Sequence, residues 1–320
     1  MSIAAEHLSQ RKWGVFTHYL YRTVCDPQSE GNLNTGITDW NEAVNKFDAE
    51  RLAYELHKMN VGYYFITLLQ GDNHLIAPNA AYDRIAGTAA GEACSFRDLP
   101  MDIANALSKY GIDLCLYYTG DGPWKDEVIG NRFGFVAPRE NVSEEFVKKW
   151  AAVLEEYAVR YGDKVKAWWI DGCYGAPASH RVERFGYTDE LLSHYYRAVK
   201  KGNPDAAVTF NNGVTLNLEK YYANEDFVAG ESRGIREKLP QCKYIDGALI
   251  HTLFPMGITD DFSGGAWAKG GVKYSNEYVL KYIKAMTALG GTVTVDMQPF
   301  IDGSFAPDQA AVLRWVGQNL

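Results

Sequence analysis

No stretch of the sequence approaches the roughly 20 consecutive apolar residues of a membrane-spanning helix. Residues 1–13 carry no apolar core ahead of a cleavage site. The reading therefore expects no membrane partner and no leader, and places the chain in the cytoplasm. Cysteine is scarce, with five residues, Cys25, Cys94, Cys115, Cys173 and Cys242. They are odd in number, widely scattered and without metal-ligand spacing, which suits free thiols in a reducing compartment. Positive charge is in deficit, Lys+Arg 32 against Asp+Glu 40 for a net −8, and this argues against nucleic acid as a partner. Gly-rich phosphate loops of the Walker or dinucleotide type are absent, and so is Gly-x-Ser-x-Gly. There is no internal repeat, low-complexity tract or block of like charge, and Pro 11 and Gly 30 are spread along the chain. Residues 1–320 read as one domain.

What is present is apolar and aromatic. Hydrophobic residues make up 47%, enough for a sizeable core, and Tyr 21, Phe 14 and Trp 8 are the one compositional deviation. Large core side chains explain most of these rings, although flat faces also suit sugar-binding clefts. Short apolar runs alternate with amphipathic stretches. Trp13–His18, Gly62–Leu69, Ile112–Tyr118, Val165–Ile170, Ala206–Phe210, Asp226–Val228, Gly247–Leu253 and Thr292–Asp296 read as strands. Helical patterns fall at Ala49–Met59 behind Asp48, Leu99–Tyr110, Ser143–Tyr161, Thr188–Lys201, Ser275–Leu289 and Pro307–Asn319. Eight strands mostly alternating with helices favour an α/β fold, a (β/α)8 TIM-like barrel, over a doubly wound open sheet.

In such a barrel, chemistry sits at the carboxyl ends of the strands. The polar residues near or just past the end of each run are His18; Gln70, Asp72 and His74; Asp121 and Trp124; Asp171 and Tyr174; Asn211; Glu231 and Arg233; His251; and Asp296. His18, His74 and His251 lie on three different strands without motif spacing, so no metal is expected. Two carboxylates among amides and aromatics are the inventory for glycoside hydrolysis, where one attacks or assists the anomeric carbon and the other protonates the leaving oxygen. Asp171 ends the run Trp168-Trp169-Ile170-Asp171-Gly172, in which a rigid strand would hold the carboxylate and Gly172 would leave its approach open. A turn Asp beside a Gly is the structural alternative. Glu231 likewise follows a short apolar run, although surface Glu is common.

The residues resemble the catalytic domain of the α-L-fucosidase family of glycoside hydrolases, from Lys12 to Leu320. Lys12–His18 is similar to the family's opening KFGIFIHWG, and Phe47-Asp48-Ala49 with Gly62–Thr67 to its next segment. Asp98-Leu99 with Tyr110–Tyr118 resembles the third, Trp169–Gly172 the WFDG nucleophile motif, and Gly290–Asp296 with Asp302-Gly303 the closing GGNLLLNVGPxxDG. The resemblance implies Asp171 as nucleophile, Glu231 as acid/base and His18 as a sugar ligand. Departures accompany it: Gln70-Gly71 replaces the paired histidines, Tyr19 replaces a Trp, and His251–Phe254 replaces the WE segment. On this reading no counterpart of the family's C-terminal β-sandwich is expected.

The resemblance implies a retaining exo-glycoside hydrolase without a cofactor, whose carboxyl groups lie about 5–5.5 Å apart. His18, Gln70, Asp72, His74, Trp124, Tyr174, Asn211 and His251 are expected to bind the substrate, a glycoside or oligosaccharide. The changed positions leave two alternatives open, a hydrolase of a related sugar such as an L-galactoside and a non-catalytic carbohydrate-binding barrel. A homo-oligomer could cover the exposed barrel surface.

Overall fold

The computed structural model describes residues 2–135, 141–175, 185–258 and 266–320. Its strands are β1 (Trp13–Thr17), β2 (Tyr63–Thr67), β3 (Asp113–Thr119), β4 (Val165–Asp171), β5 (Ala207–Phe210), β6 (Tyr244–Ile245), β7 (Ala248–Leu249), β8 (His251–Pro255) and β9 (Thr292–Met297). Seven form one parallel sheet in the order β5-β4-β3-β2-β1-β9-β8. The chain's first and last strands are thus neighbours, with Phe16 opposite both Phe65 and Asp296. Strands β1, β2 and β3 are buried along their whole length, as continuous apolar strands covered on both faces should be.

Among the described residues the sheet is a curled half-barrel of seven strands that does not close. Asp226–Val228, expected as a strand, makes single bridges instead. Asp226 donates to the Val208 carbonyl (2.8 Å), Val228 to that of Leu249 (2.9 Å), and Ser232 to that of Leu253 (2.9 Å). The segment lies between the two sheet edges but bends at Gly230, where φ is +63° and a Cβ would stand 1.9 Å from the His251 carbonyl oxygen. Only glycine fits so close an approach in that conformation. The run expected at Gly247–Leu253 is also split. Asp246 and Gly247 both take positive φ (48° and 82°), as the Asp-Gly loop of a two-residue hairpin favours. This turns β7 back on β6, and the chain joins the main sheet only at His251.

The helices begin where capping residues dictate. The side chains of Asp48, Asp98, Ser143 and Thr188 each accept a backbone N–H of the helix that follows. The long helix Glu144–Tyr161 lays Phe146, Trp150, Leu154 and Tyr157 against the outer face of the sheet, and Trp150 stacks on Tyr118 at 5.1 Å. Inside the curl, alternate strand residues fill the lumen: Phe16, Phe65, Cys115, Tyr117, Ala167, Trp169 and Ala207 among them. The amino-terminal end of that lumen is closed by a helix the sequence patterning did not reveal, Ile3–Arg11. Its Ala4, Ala5 and Leu8 join this inner cluster, and Arg11 holds Asp113 with two bonds of 2.7 and 3.0 Å.

Candidate active site

The two-residue period that fills the lumen also aims the chemistry. Trp169 points inward, so Asp171, two residues on at the end of β4, follows it. Phe16 is followed by His18, and Ala207 by Thr209 and then Asn211. These side chains converge at the carboxyl end of the sheet on a cavity of about 160 Å³. Its polar wall is His18, Arg22, Thr23, Gln70, Tyr117, Asp171, Asn211 and Glu231. Phe16, Trp169, Leu253 and Trp267 supply apolar surface.

Asn211 links the two carboxylates. Its Nδ2 donates to Asp171 Oδ1 and to Glu231 Oε2, at 2.6 Å in each case. Its Oδ1 accepts from the Gly213 N–H at 3.1 Å, which fixes which end of the amide faces the acids. Two oxygens held to one nitrogen can be no farther apart than twice that bond. The facing oxygens of the two acids therefore lie within the roughly 5–5.5 Å that separates the carboxyl groups of a retaining pair. The other Asp171 oxygen, Oδ2, accepts from the Tyr117 hydroxyl at 2.6 Å. Burial, with the charges of Asp171 and Asp121 beside it, holds that hydroxyl well above the usual phenol range. Tyr117 therefore remains protonated and able to donate.

His18 is set by Asp296, whose Oδ1 lies 2.7 Å from His18 Nδ1 and whose Oδ2 accepts the Ala268 N–H at 2.8 Å. Burial raises the Asp296 carboxyl against the pull of His18. The ring of His18 packs on Phe16 at 4.4 Å and faces Trp267 at 5.8 Å.

Of the residues expected at the site, Asp171, Glu231, His18, Gln70 and Asn211 come together. Five do not line the cavity. Asp72 accepts the His74 N–H and sits 3.9 Å from Arg22. His74 is stacked on Tyr21 at 4.2 Å and set against Trp40, and burial lowers its pKa. Trp124 lies beside Gly71, beneath Lys125. Tyr174 stacks on Phe185 at 5.6 Å. His251 is wholly buried below the cavity, its Nδ1 bonded to the Ala229 carbonyl and its Nε2 to Thr294, and burial lowers its pKa to about 4. It is a neutral core histidine. The expected lining missed Tyr117 and Trp169, which stand before rather than after a strand end. Inward periodicity within β3 and β4 could have found both. Arg22 and Trp267 come from segments with no strand signal. Among the described residues no cluster of three or more His, Cys, Asp or Glu is placed to hold a metal ion, and no helix is long and apolar enough to cross a membrane.

No family model and no curated protein matches the sequence. Solved structures do match the fold. An α-L-fucosidase of family GH29 from Bacteroides thetaiotaomicron superposes with a TM-score of 0.63 at 17% identity, covering 99% of this chain and 73% of its own. A bacterial fucosidase holding a monovalent iminocyclitol inhibitor gives 0.63 at 16%, over 99% and 74%. An endo-fucoidan hydrolase of glycoside hydrolase family 107 gives 0.69 at 14%, over 99% and 93%. At these identities the likeness establishes a shared fold, that of glycoside hydrolase catalytic domains.

Proposed function

We propose that the protein is a retaining, exo-acting glycoside hydrolase for α-L-fucosides or a closely related sugar, with Asp171 as nucleophile and Glu231 as acid/base. One observation carries this reading: a single amide nitrogen, that of Asn211, is bonded to both carboxylates at 2.6 Å. Such closeness suits direct attack by Asp171 on the anomeric carbon better than attack by a water held between carboxylate and sugar. Asp171 forms a glycosyl ester as the bond to the leaving oxygen breaks, and Glu231 passes its proton to that oxygen. Glu231 then takes a proton from water, which attacks the same carbon and releases Asp171.

The small volume of the cavity suits one terminal sugar ring, with Trp267 and His18 as its faces. Fucosidases and endo-fucoidan hydrolases among the fold's relatives favour a fucose-like sugar. A binding barrel that had lost catalysis would have no need to keep Asp171 and Glu231 in reach of one amide. On the same reading, the segment Asp226–Ser232 stands in for the missing strand of a (β/α)8 barrel and delivers Glu231 to the mouth.

The test is hydrolysis of aryl α-L-fucoside, beside its L-galactoside relative. Wild-type protein should turn over one of them with retention at the anomeric centre. Asp171→Gly should lose several orders of magnitude and regain part of the rate with azide. Turnover undiminished by Asp171→Gly, or an inverted product, sinks the reading.

A further inference from the structure

Gln70 stands where the resembled family has paired histidines, and its surroundings give it one orientation only. Arg22, which can only donate, bonds the Gln70 side-chain oxygen through Nη2 and its backbone carbonyl through Nη1, the latter at 3.1 Å. With Oε1 so occupied, Nε2 faces Tyr117 and donates to its hydroxyl at 2.8 Å. A hydroxyl that already accepts along that direction has its proton free to go elsewhere, and the other neighbour within bonding distance is Asp171 Oδ2. Each bond therefore sets the direction of the next. From the guanidinium through amide and phenol to the carboxylate, every donor and acceptor is determined without ambiguity.

We infer that Arg22 and Gln70 are positioning residues that act through Tyr117, holding its proton on Asp171 and so fixing the nucleophile's second oxygen while the first is held by Asn211. This deepens the hydrolase reading and rests on it. The ground state of the attack is a carboxylate with a defined rotamer and both oxygens bonded, leaving a lone pair on each for the sugar. Without the relay, the Tyr117 proton is free to leave Asp171 for Gln70, and the carboxylate gains a rotational freedom that must be lost again at each turnover.

Two near-isosteric variants separate positioning from packing. Gln70→Met keeps the volume and removes the bond to Tyr117. Gln70→Glu keeps the volume and the Arg22 contact, but presents an acceptor that competes with Asp171 for the phenol proton. The relay predicts kcat in the order wild type, Gln70→Met, Gln70→Glu. The last should fall by roughly ten- to a hundred-fold, the worth of a hydrogen bond to a charged group, with KM changed far less. Packing alone leaves wild type first and exchanges the two variants, because the glutamate keeps the polar contact to Arg22 that methionine loses. Arg22→Met should fall with Gln70→Met and not add to it in the double variant, as members of one network do. If Asp171→Gly is inactive while Gln70→Glu matches wild type, the relay falls and the hydrolase reading stands. If the wild-type chain cleaves no aryl glycoside, the hydrolase reading falls and takes the relay with it.

Discussion

Replacing Asn211 with aspartate tests the geometry at its centre with almost no change of shape. The substitution exchanges the bridging NH2 for an oxygen and turns two donated bonds of 2.6 Å into two oxygen–oxygen contacts. Two unit charges at that distance repel by about 6 kcal/mol even at an effective dielectric of 20. With Glu231 holding the proton it delivers, the added carboxylate and Asp171 cannot both stay ionised at such a cost, so the cluster must hold a second proton near neutral pH. Activity at the wild-type optimum should fall by at least ten- to a hundred-fold, since Asp171 loses a charge-assisted bond worth roughly 1.5–3 kcal/mol. The acidic limb of kcat/KM should move up by about one to three pH units as the shared proton must first be removed. The assay is a pH–rate profile on an aryl glycoside with a good leaving group, beside far-ultraviolet circular dichroism to establish that the variant is folded. A profile of the folded variant that superimposes on the wild type's refutes the placement of Asn211 between the acids.

Two further outcomes follow from buried groups around the site. His251 has its pKa lowered from 6.5 to about 4 by burial, so the unfolded chain binds a proton there that the folded one refuses. That group stabilises the fold above pH 6.5 and loses about 3 kcal/mol as pH falls towards 4. Urea unfolding of His251→Gln between pH 4 and 7 should show a flatter acid limb, and an unchanged slope would exclude His251 as its source. Gly230→Ala places a methyl against the His251 carbonyl in a backbone conformation of φ +63°. It should cost at least about 1–3 kcal/mol in strain and displace Glu231. A variant with full activity and unaltered melting temperature would overturn the claim that this bend sets the acid.

How much of this was legible in the sequence differs with the physical origin of each feature. Strands β1 to β4 and β9 were readable because they are apolar on both faces, and the long helices because Asp48, Ser143 and Thr188 mark their starts. Asp171 and Asn211 were readable for the same reason: a strand that holds its period delivers its next inward residue to a predictable place. Reading failed where backbone turned on one glycine. The bend at Gly230 and the hairpin at Asp246-Gly247 replaced two expected strands, although the Asp-Gly pair was a usable signal. His251 falls near the end of the apolar run Gly247–Leu253, which places it at the carboxyl end of a strand. The structure starts β8 at that residue, so its imidazole sits at the bottom of the lumen with its hydrogen bonds already spent. Strand register is therefore what decides between a ligand and a core histidine, and here it was set by the hairpin before it. Tyr117 shows the converse. It precedes the end of β3 by two residues, yet its long side chain carries the hydroxyl to Asp171. At the carboxyl end of a curled sheet, side-chain reach must be added to strand position before a residue is left out of the site.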